Sequence, residues 1–419
     1  MKRENSYTSG IFTLGMLFFI CGFTTWLNAA LTPYLKVACE LSNFQAYFVT
    51  LAFYLACAAA VFPSLRLLGS AGHTTGMAIG LMSMSAGALI FIPAALLRTY
   101  SLFLLGLLVA GGGLGLLQVA VGPYAAALGA AGRALRRRNA MDICGKAAGV
   151  VGLPALGSVL FYKIDSLEAS IQMAEGASRA AELDTLAHKI VVPCLLIMLA
   201  LLAMVFWVKF LPFPKVAVDN SGEGKEKAQG GGIARLLRLC LGTLTLFLYV
   251  GAEVVAIASI ALYGKSMGMS LEAAQALPAC ALLAAILGCL LDVALVPKFV
   301  GRERALAVYA ALGVIFSVAA VSVPGKLSVA FVALLGLSAS PVWSSVFSLT
   351  VNAGKRIGAS SAMLAAGMLG GALLPLAYGY LADTVGNRHA YWLLAPCYAV
   401  ILLCAVANFP AAKNIHSEK

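Results

Sequence analysis

Ionisable residues inside long apolar stretches are the part of this sequence that could do chemistry. Glu253 stands among alanine, valine and glycine with no basic residue within four positions, and Asp142 and Lys146 lie four residues apart in another apolar stretch. Isolated charges in such a setting are costly and mark functional sites by default. A carboxyl buried without a charged neighbour could take up and release a proton near neutral pH. Glu253 and Asp142 are therefore candidate proton carriers.

The same residues also have a purely structural interpretation. Asp142 and Lys146 would share one face of a helix, with the acid nearer the N-terminus, which suits an ion pair that neutralises two costly charges. Glu253 could instead pair with Lys146 across the fold, or accept hydrogen bonds from serine or threonine hydroxyls. Arg138 lies one helical turn before Asp142, so Arg138 and Lys146 are also candidates for a gate.

Isolated amides and aromatic rings form a second candidate set. Asn28 and Gln118 each stand alone in a long apolar stretch, and we expect both to face a bundle interior or cavity, not lipid. Amides that donate and accept hydrogen bonds, beside an aromatic face, suit a neutral, hydroxyl-rich ligand such as a sugar. The candidate substrate-binding residues are Trp26, Asn28, Gln45, Gln118, Trp343 and Asn352. Trp343 could equally pack against Pro341 as an ordinary core residue.

The composition places these residues in a membrane protein. The 419-residue chain is 61% hydrophobic and only 11% charged, and its mean hydropathy is +0.94, well outside the soluble range. The net charge of +12 could suggest nucleic acid, but the basic residues are scattered in short loops between apolar stretches. We therefore expect a lipid bilayer around the protein and no nucleic-acid partner.

Twelve apolar stretches reach the length of about 20 residues that a helix needs to cross a bilayer. They lie at about 11–35, 45–68, 75–97, 101–129, 139–162, 190–211, 237–263, 272–296, 303–323, 327–352, 357–382 and 388–408. The polar, glycine-rich segment between the sixth and seventh is typical of a flexible linker. We predict an all-α membrane protein with twelve transmembrane helices in two pseudo-symmetric six-helix bundles. The predicted units are a bundle at 1–211, a cytoplasmic linker at 212–235, and a bundle with a short cytoplasmic tail at 236–419.

The distribution of lysine and arginine predicts the orientation in the membrane. Over alternate loops, these residues concentrate on the side that holds both termini and the linker, which is typical of the cytoplasmic side. Since the first stretch has full spanning length and no cleavable signal precedes it, we predict a multi-pass protein of the inner (plasma) membrane with both termini in the cytoplasm. On the opposite side, residues 163–188 are predicted to form one or two short amphipathic helices that cap the bundle.

Two short basic loops form a weak internal repeat. They follow the second and eighth stretches, at 66–73 and 292–304. In many secondary carriers the corresponding loop clamps helix ends in one of two alternating states. Asp292 and Arg302 are accordingly further gate candidates.

Enzymatic and metal-binding functions find no support in the sequence. The ten cysteines lie mostly inside apolar stretches without CxxC spacing, and the four histidines lie in loops or the tail. No nucleophile and base set and no GxxxxGK[ST] loop is present. We therefore predict a protein that is not an enzyme, uses no metal or other cofactor, and is a monomer.

Four stretches carry a resemblance to a known family. They are FFICGFTTWLNAALTPYLK at 18–36, GLGLLQVAVGPYAAALG at 113–129, YVGAEVVAIAS at 249–259 and PVWSSVFSLTVNAG at 341–354. With the twelve-span layout, they are similar to the fucose/glucose/galactose:proton symporter branch of the major facilitator superfamily. The resemblance implies transport of a neutral monosaccharide with protons by alternating access, and the run at 251–254 is more similar to the glucose/galactose members.

The chain departs from the family pattern where that family carries its acids. The first-span Leu-Asn-Asp pattern reads Leu27-Asn28-Ala29 here, and the fourth-span glutamate falls on Gln118. Glutamine can bind a hydroxyl but carries no proton at physiological pH. Conversely, the position of a fifth-span glutamine in the family holds Asp142. Proton coupling in this chain would therefore need a different carboxyl.

Three other functions stay open at the level of sequence. An efflux carrier for drugs or metabolites would use an apolar cavity lined by methionine and phenylalanine. A facilitator would move the sugar without a coupling ion. A non-transporting sensor is suggested by the missing acids at 29 and 118, although the intact spans and the retained amides weigh against it.

Overall fold

The computed structural model describes residues 2–127, 134–210, 232–295, 301–340, 346 and 357–408, and these residues form helices joined by short turns, with no strand among them. The twelve long helices of this described part are α1 Lys2–Ala38, α2 Phe48–Ala71, α3 His73–Leu96, α4 Tyr100–Ala127, α5 Ala134–Leu160, α6 Val191–Phe210, α7 Gly232–Ser266, α8 Leu277–Leu295, α9 Arg302–Ser322, α10 Lys326–Ala339, α11 Ile357–Thr384 and α12 Leu394–Asn408. Short helices lie at Asn43–Ala46, Ile164–Met173, Gly176–His188, Leu271–Ala274 and Asn387–Ala390, followed by a 3-10 turn at Tyr391–Leu393.

The described helices agree with the predicted spans. Eleven helical segments of the described chain are long and apolar enough to cross a membrane, where a helix is the structure that satisfies every backbone polar group internally. The remaining predicted span begins as α10, described over 14 residues, and most of its continuation towards residue 352 lies outside the described residues. Most of the predicted linker at 212–235 also lies outside them. The predicted amphipathic helices of the long loop are confirmed as Ile164–Met173 and Gly176–His188.

Helix pairing repeats between the first six and the last six helices. In the first set, α1 packs on α5, α2 on α4, and α3 on both α4 and α6. In the second set, α7 packs on α11, α8 on α10, and α9 on both α10 and α12, which are the same pairs shifted by six. The two sets meet where α2 contacts α11, α5 contacts α8 and α1 contacts α7. This pattern is that of two pseudo-symmetric six-helix bundles, as predicted.

Successive long helices run in opposite directions, so their ends define two faces of the molecule. We call the face at the N-terminus of α1 proximal and the opposite face, which carries the two loop helices at 164–188, distal. The short helices at 43–46 and 271–274 lie on the distal face, where each leads into an interface helix, α2 or α8. Ser42 and Ser270 cap them by accepting hydrogen bonds from the backbone N–H groups of Gln45 and Ala273, which is the usual role of serine at this position.

Glycines allow close helix contacts at equivalent places in the two bundles. A Cβ on Gly22 of α1 would meet the carbonyl oxygen of Gly145 on α5, and a Cβ on Gly251 of α7 would meet that of Gly370 on α11. Without a hydrophobic force between helices in lipid, small residues let backbones approach and gain packing energy. This correspondence aligns α1 with α7 and α5 with α11, residue by residue.

The glycine run of α4 provides a matched pair for testing this packing. A Cβ on Gly111 would meet the backbone carbonyl of Phe53 on α2, whereas one on the adjacent Gly112 would meet nothing within 4 Å. We expect Gly111→Leu to lower the free energy of unfolding by about 1–3 kcal/mol, since the added side chain must displace a helix backbone. Gly112→Leu should leave it nearly unchanged. Thermal unfolding of both purified variants in detergent measures the difference, and equal losses would contradict the assigned α2–α4 contact.

Candidate functional site

A buried group of charged residues joins the two bundles between α5 and α7. The ammonium nitrogen of Lys146 lies 2.8 Å from Asp142 Oδ2, one turn earlier on α5, and 3.5 Å from Glu253 Oε1 on α7. The side chains of Lys146 and Glu253 are 4% and 9% exposed, whereas that of Asp142 is 39% exposed. The sequence left two ion pairs open for Lys146, one with Asp142 and one with Glu253. The structure contains both. We call these three residues the charge cluster.

Three buried tyrosines, each from a different helix, are close enough to the charge cluster to interact with it electrostatically. Tyr54 of α2, Tyr249 of α7 and Tyr398 of α12 lie within electrostatic range of the Glu253 carboxyl. All three are almost fully buried, and the Tyr398 hydroxyl has no hydrogen-bond partner among the described residues. Phenolic hydroxyls donate and accept hydrogen bonds, so these residues offer neutral polar groups near the Glu253 carboxyl.

The charge cluster also contacts α8. Cys289 Sγ lies 3.5 Å from Asp142 Oδ2 and 2.8 Å from Ser340 Oγ. One turn closer to the proximal face, Asn139 Nδ2 donates to Asp292 Oδ2 at 3.3 Å, and both side chains are buried. The gate candidate Asp292 thus lies at a contact between the bundles. The side chains of two other gate candidates, Arg138 and Arg302, lie outside the described residues.

Trp26 and Asn28 face different parts of the molecule. Positions i and i+2 of an α-helix differ by a rotation of about 200° around the helix axis. The side chains of Trp26 and Asn28 therefore point in nearly opposite directions. Trp26 is buried at the interface between the bundles, where a Cβ on Gly149 of α5 would touch its ring and Leu282 of α8. Asn28 points into the interior of the first bundle instead, where it lines a cavity of about 40 Å³ to which all six helices of that bundle contribute.

The surroundings of Asn28 are mostly apolar. Its Nδ2 donates to the backbone oxygen of Thr25 at 3.1 Å, while its buried Oδ1 has no hydrogen-bond partner among the described residues. The cavity beside it is lined almost entirely by apolar side chains. A space of this size holds roughly two or three waters and no sugar. Asn28 avoids lipid, as predicted, but it does so inside one bundle.

The remaining substrate-binding candidates lie apart from the charge cluster or outside the described residues. Gln45 is exposed on the distal face, where its side chain accepts from the Ser42 backbone N–H at 3.0 Å and completes a capping box. Gln118 is partly buried on α4, and its amide makes no hydrogen bond to another described residue. Trp343 and Asn352 lie outside the described part of the chain.

Sequence reasoning identified the charged residues of the site but not their setting. Tyr54, Tyr249 and Tyr398 sit in apolar stretches and resemble ordinary core residues. Of the three, Tyr249 could have been recognised from the sequence, because it lies four residues before Glu253 and so shares its helix face. The contacts of Cys289 and Ser340 had no sequence signal. Among the described residues, no group of three or more metal-ligating side chains is present.

The charge cluster makes a testable contribution to stability. Lys146→Met would leave two carboxyls without a cation, so we expect a loss of about 3–5 kcal/mol in the free energy of unfolding, as for other broken buried pairs. Lys146→Met combined with Glu253→Gln should recover part of that loss, because the uncompensated buried charge is gone. Urea or thermal unfolding of the two single variants and the double variant gives the coupling energy. Strictly additive losses would show that the two side chains do not interact.

The chain is similar in sequence to known sugar transporters. No family model matches the chain. The glucose/galactose transporter of Brucella abortus biovar 1 (strain 9-941) is 30% identical over 405 residues, which cover 96% of this chain and 94% of that protein. The L-fucose-proton symporter of Escherichia coli (strain K12) is 24% identical over 98% of this chain and 96% of that protein.

The fold has a counterpart among solved structures. The crystal structure of a major facilitator superfamily transporter, FucP, in the outward conformation superposes with a TM-score of 0.71. The match covers 96% of this chain and 99% of that one, at 24% sequence identity. At this identity the likeness concerns the fold.

Proposed function

The chain belongs to the glucose/galactose and fucose transporter branch of the major facilitator superfamily, and we propose that it carries a neutral monosaccharide of the glucose or galactose type together with a proton. It is a multi-pass membrane protein, and the proposed setting is the inner membrane with the proximal face and both termini in the cytoplasm. In this proposal the protein is a monomer and not an enzyme. The observation that carries the proposal is the Lys146–Glu253 pair, which joins the two bundles at 3.5 Å.

Charge balance supports Glu253 as the proton carrier. The charge cluster holds one ammonium and two carboxyls, so it carries a net negative charge when all three are ionised. One proton neutralises it, and Glu253 is the more deeply buried carboxyl, where an uncompensated charge is least tolerable. Asp142, which is partly exposed, can keep Lys146 as its partner. The role assigned to Asp142 is therefore to hold the lysine while Glu253 exchanges the proton.

The same arrangement couples the proton to the conformation. When Glu253 is ionised, its attraction to Lys146 ties α7 to α5 and so ties the bundles together at this point. When Glu253 is protonated, Lys146 retains Asp142 within α5 and the tie across the bundles weakens. A ligand shifts a conformational equilibrium only through such a difference between states. In alternating access, two bundles rock against each other around a central site. Protonation of Glu253 would favour this movement by weakening the attraction between α5 and α7.

The proposed sugar site lies beside the charge cluster. Trp26 offers an apolar ring at the bundle interface, and the hydroxyls of Tyr54, Tyr249 and Tyr398 supply neutral donors and acceptors. Gln118, Trp343 and Asn352 remain proposed contacts on neighbouring helices. The positions of Asn28 and Gln45 support structural roles instead.

Residues towards the proximal face form the proposed cytoplasmic gate. The contact between Asn139 and Asp292 bridges α5 and α8, and supports a role for Asp292 in closing this side. Arg138 and Arg302 remain proposed members, since Arg138 directly precedes Asn139 near the start of α5 and Arg302 opens α9, shortly after α8. Lys146, which the sequence also suggested for the gate, lies deeper and belongs to the proposed coupling site.

Uptake into membrane vesicles tests the substrate and the coupling. With an inward proton gradient, we expect labelled glucose or galactose to accumulate above the external concentration, and a protonophore should abolish the accumulation while leaving equilibration. A panel that includes fucose and a neutral amino acid tests the substrate class. If no monosaccharide is taken up or exchanged, the sugar assignment is wrong.

Substitution of Glu253 separates coupling from transport. Glu253→Gln keeps the shape and hydrogen-bonding capacity of the side chain but cannot ionise, so uphill uptake should fall to background while counterflow exchange of labelled sugar is retained. Glu175→Gln is the matched control, because Glu175 is an exposed carboxyl on the distal face. Accumulation by Glu253→Gln at the level of Glu175→Gln would exclude Glu253 as the carrier.

A further inference from the structure

We propose that the distal face carries two latches, in each of which an aspartate from one bundle caps a short helix of the other bundle and holds this side closed. The proposal rests on alternating access, because these contacts would stabilise the state in which the distal side is closed. It concerns residues that no step of the proposed sugar and proton site uses.

The first latch is formed by Asp383 at the distal end of α11. Its Oδ1 accepts from the backbone N–H of Asn43 at 3.1 Å and from Asn43 Nδ2 at 2.7 Å, and its Oδ2 accepts from the backbone N–H of Phe44 at 2.8 Å. Asn43 and Phe44 open the helix at 43–46, whose first N–H groups have no partner within the helix. A carboxylate of the second bundle therefore completes the helix that leads into α2 of the first.

The second latch is formed by Asp165, which follows α5. Its Oδ1 accepts from the backbone N–H of Leu271 at 2.8 Å, and its Oδ2 accepts from that of Glu272 at 3.2 Å. Leu271 and Glu272 open the helix at 271–274, which leads into α8. Here a carboxylate of the first bundle completes a helix of the second.

The two latches occupy corresponding places in the pseudo-symmetric fold. The shift by six helices exchanges α5 with α11 and the helix at 271–274 with that at 43–46. The two aspartates are not equivalent residues, since Asp383 lies in the last turn of α11 and Asp165 lies beyond the end of α5. A lysine accompanies each latch near the end of an equivalent helix. Lys36 of α1 donates to Asn43 Oδ1 and lies within electrostatic range of Asp383, and Lys265 of α7 binds Glu168 of the first bundle at 2.5 Å.

The chemistry of these contacts suits a reversible closure. Both carboxylates accept from the backbone N–H groups that open a short helix, and Asp383 also accepts from Asn43 Nδ2. Bonds of this kind at an exposed surface are favourable but modest in strength. Most of the groups involved lie at the exposed distal surface, so water can replace the lost partners when the bundles separate. The internal caps Ser42 and Ser270 stay with their helices in either case. Opening the distal side thus exposes most of the separated polar groups to water.

Distances between spin labels on the distal face test the latches without any substrate, so failure here is separate from failure of the sugar assignment. Cysteines replace Leu97 and Lys326, one in each bundle, in a background where the cysteines that are at least partly exposed, Cys39, Cys144, Cys240 and Cys280, are serine. Asp165→Ala and Asp383→Ala should each lower the ratio of short-distance to long-distance populations about fivefold, the effect expected from losing one helix cap. The double variant should show the product of the two.

Two controls separate the latches from local fraying. Ser42→Ala with Ser270→Ala weakens the same two short helices but leaves the bonds across the bundles. Asp184→Ala removes a distal carboxylate whose ion pair with Arg98 stays within one bundle. The proposal is overturned if the double aspartate variant matches wild type, or if either control shifts the ratio as much. Should the double variant fail to fold, the single variants decide, because each carries its own expected shift.

Discussion

The ammonium of Lys146 and the carboxyl of Glu253 meet across the boundary between two helix bundles, in a place that is nearly closed to water. Neither charge could be kept there alone, since burial of an unpaired ion costs far more than the packing around it supplies. The surrounding helices must therefore bring the two bundles together at this point whenever both groups are ionised. The close glycine contacts of α1 with α5 and of α7 with α11 position the two side chains.

Most of the architecture follows from the length of the apolar stretches in the sequence. A stretch that can span a bilayer must be helical, so the positions of the helices and the pairing into two sets could be predicted from sequence. The short loop helices were also recognisable, because their polar residues recur with helical spacing. Helix partners were not predictable in detail. They depend on which glycine meets which backbone, as with Gly22 and Gly145, and no local pattern specifies the partner.

The site was predictable in part, for a similar reason. Glu253 and Lys146 stand out because charges are rare in apolar stretches, and pairing between them was one of the stated alternatives. The tyrosines near Glu253 were missed, since a buried tyrosine in an apolar stretch has the pattern of a core residue. The isolation of Asn28 in an apolar stretch indicated burial, but it did not indicate which space the side chain enters, because that depends on the rotation of α1 within its bundle.

The glycine correspondence between the bundles shows that the charge cluster has no counterpart. When Gly22 and Gly145 are aligned with Gly251 and Gly370, Thr24 takes the place of Glu253, and Gly371 that of Lys146. The fold is pseudo-symmetric, but the ionisable residues of the charge cluster lie only on α5 and α7 and not at the equivalent positions of α11 and α1. In the proposed cycle the protonated carrier is electrically neutral at this site and the empty carrier bears one negative charge, so the membrane voltage acts on the return of the empty carrier. Electrical recordings on reconstituted protein would report that step directly.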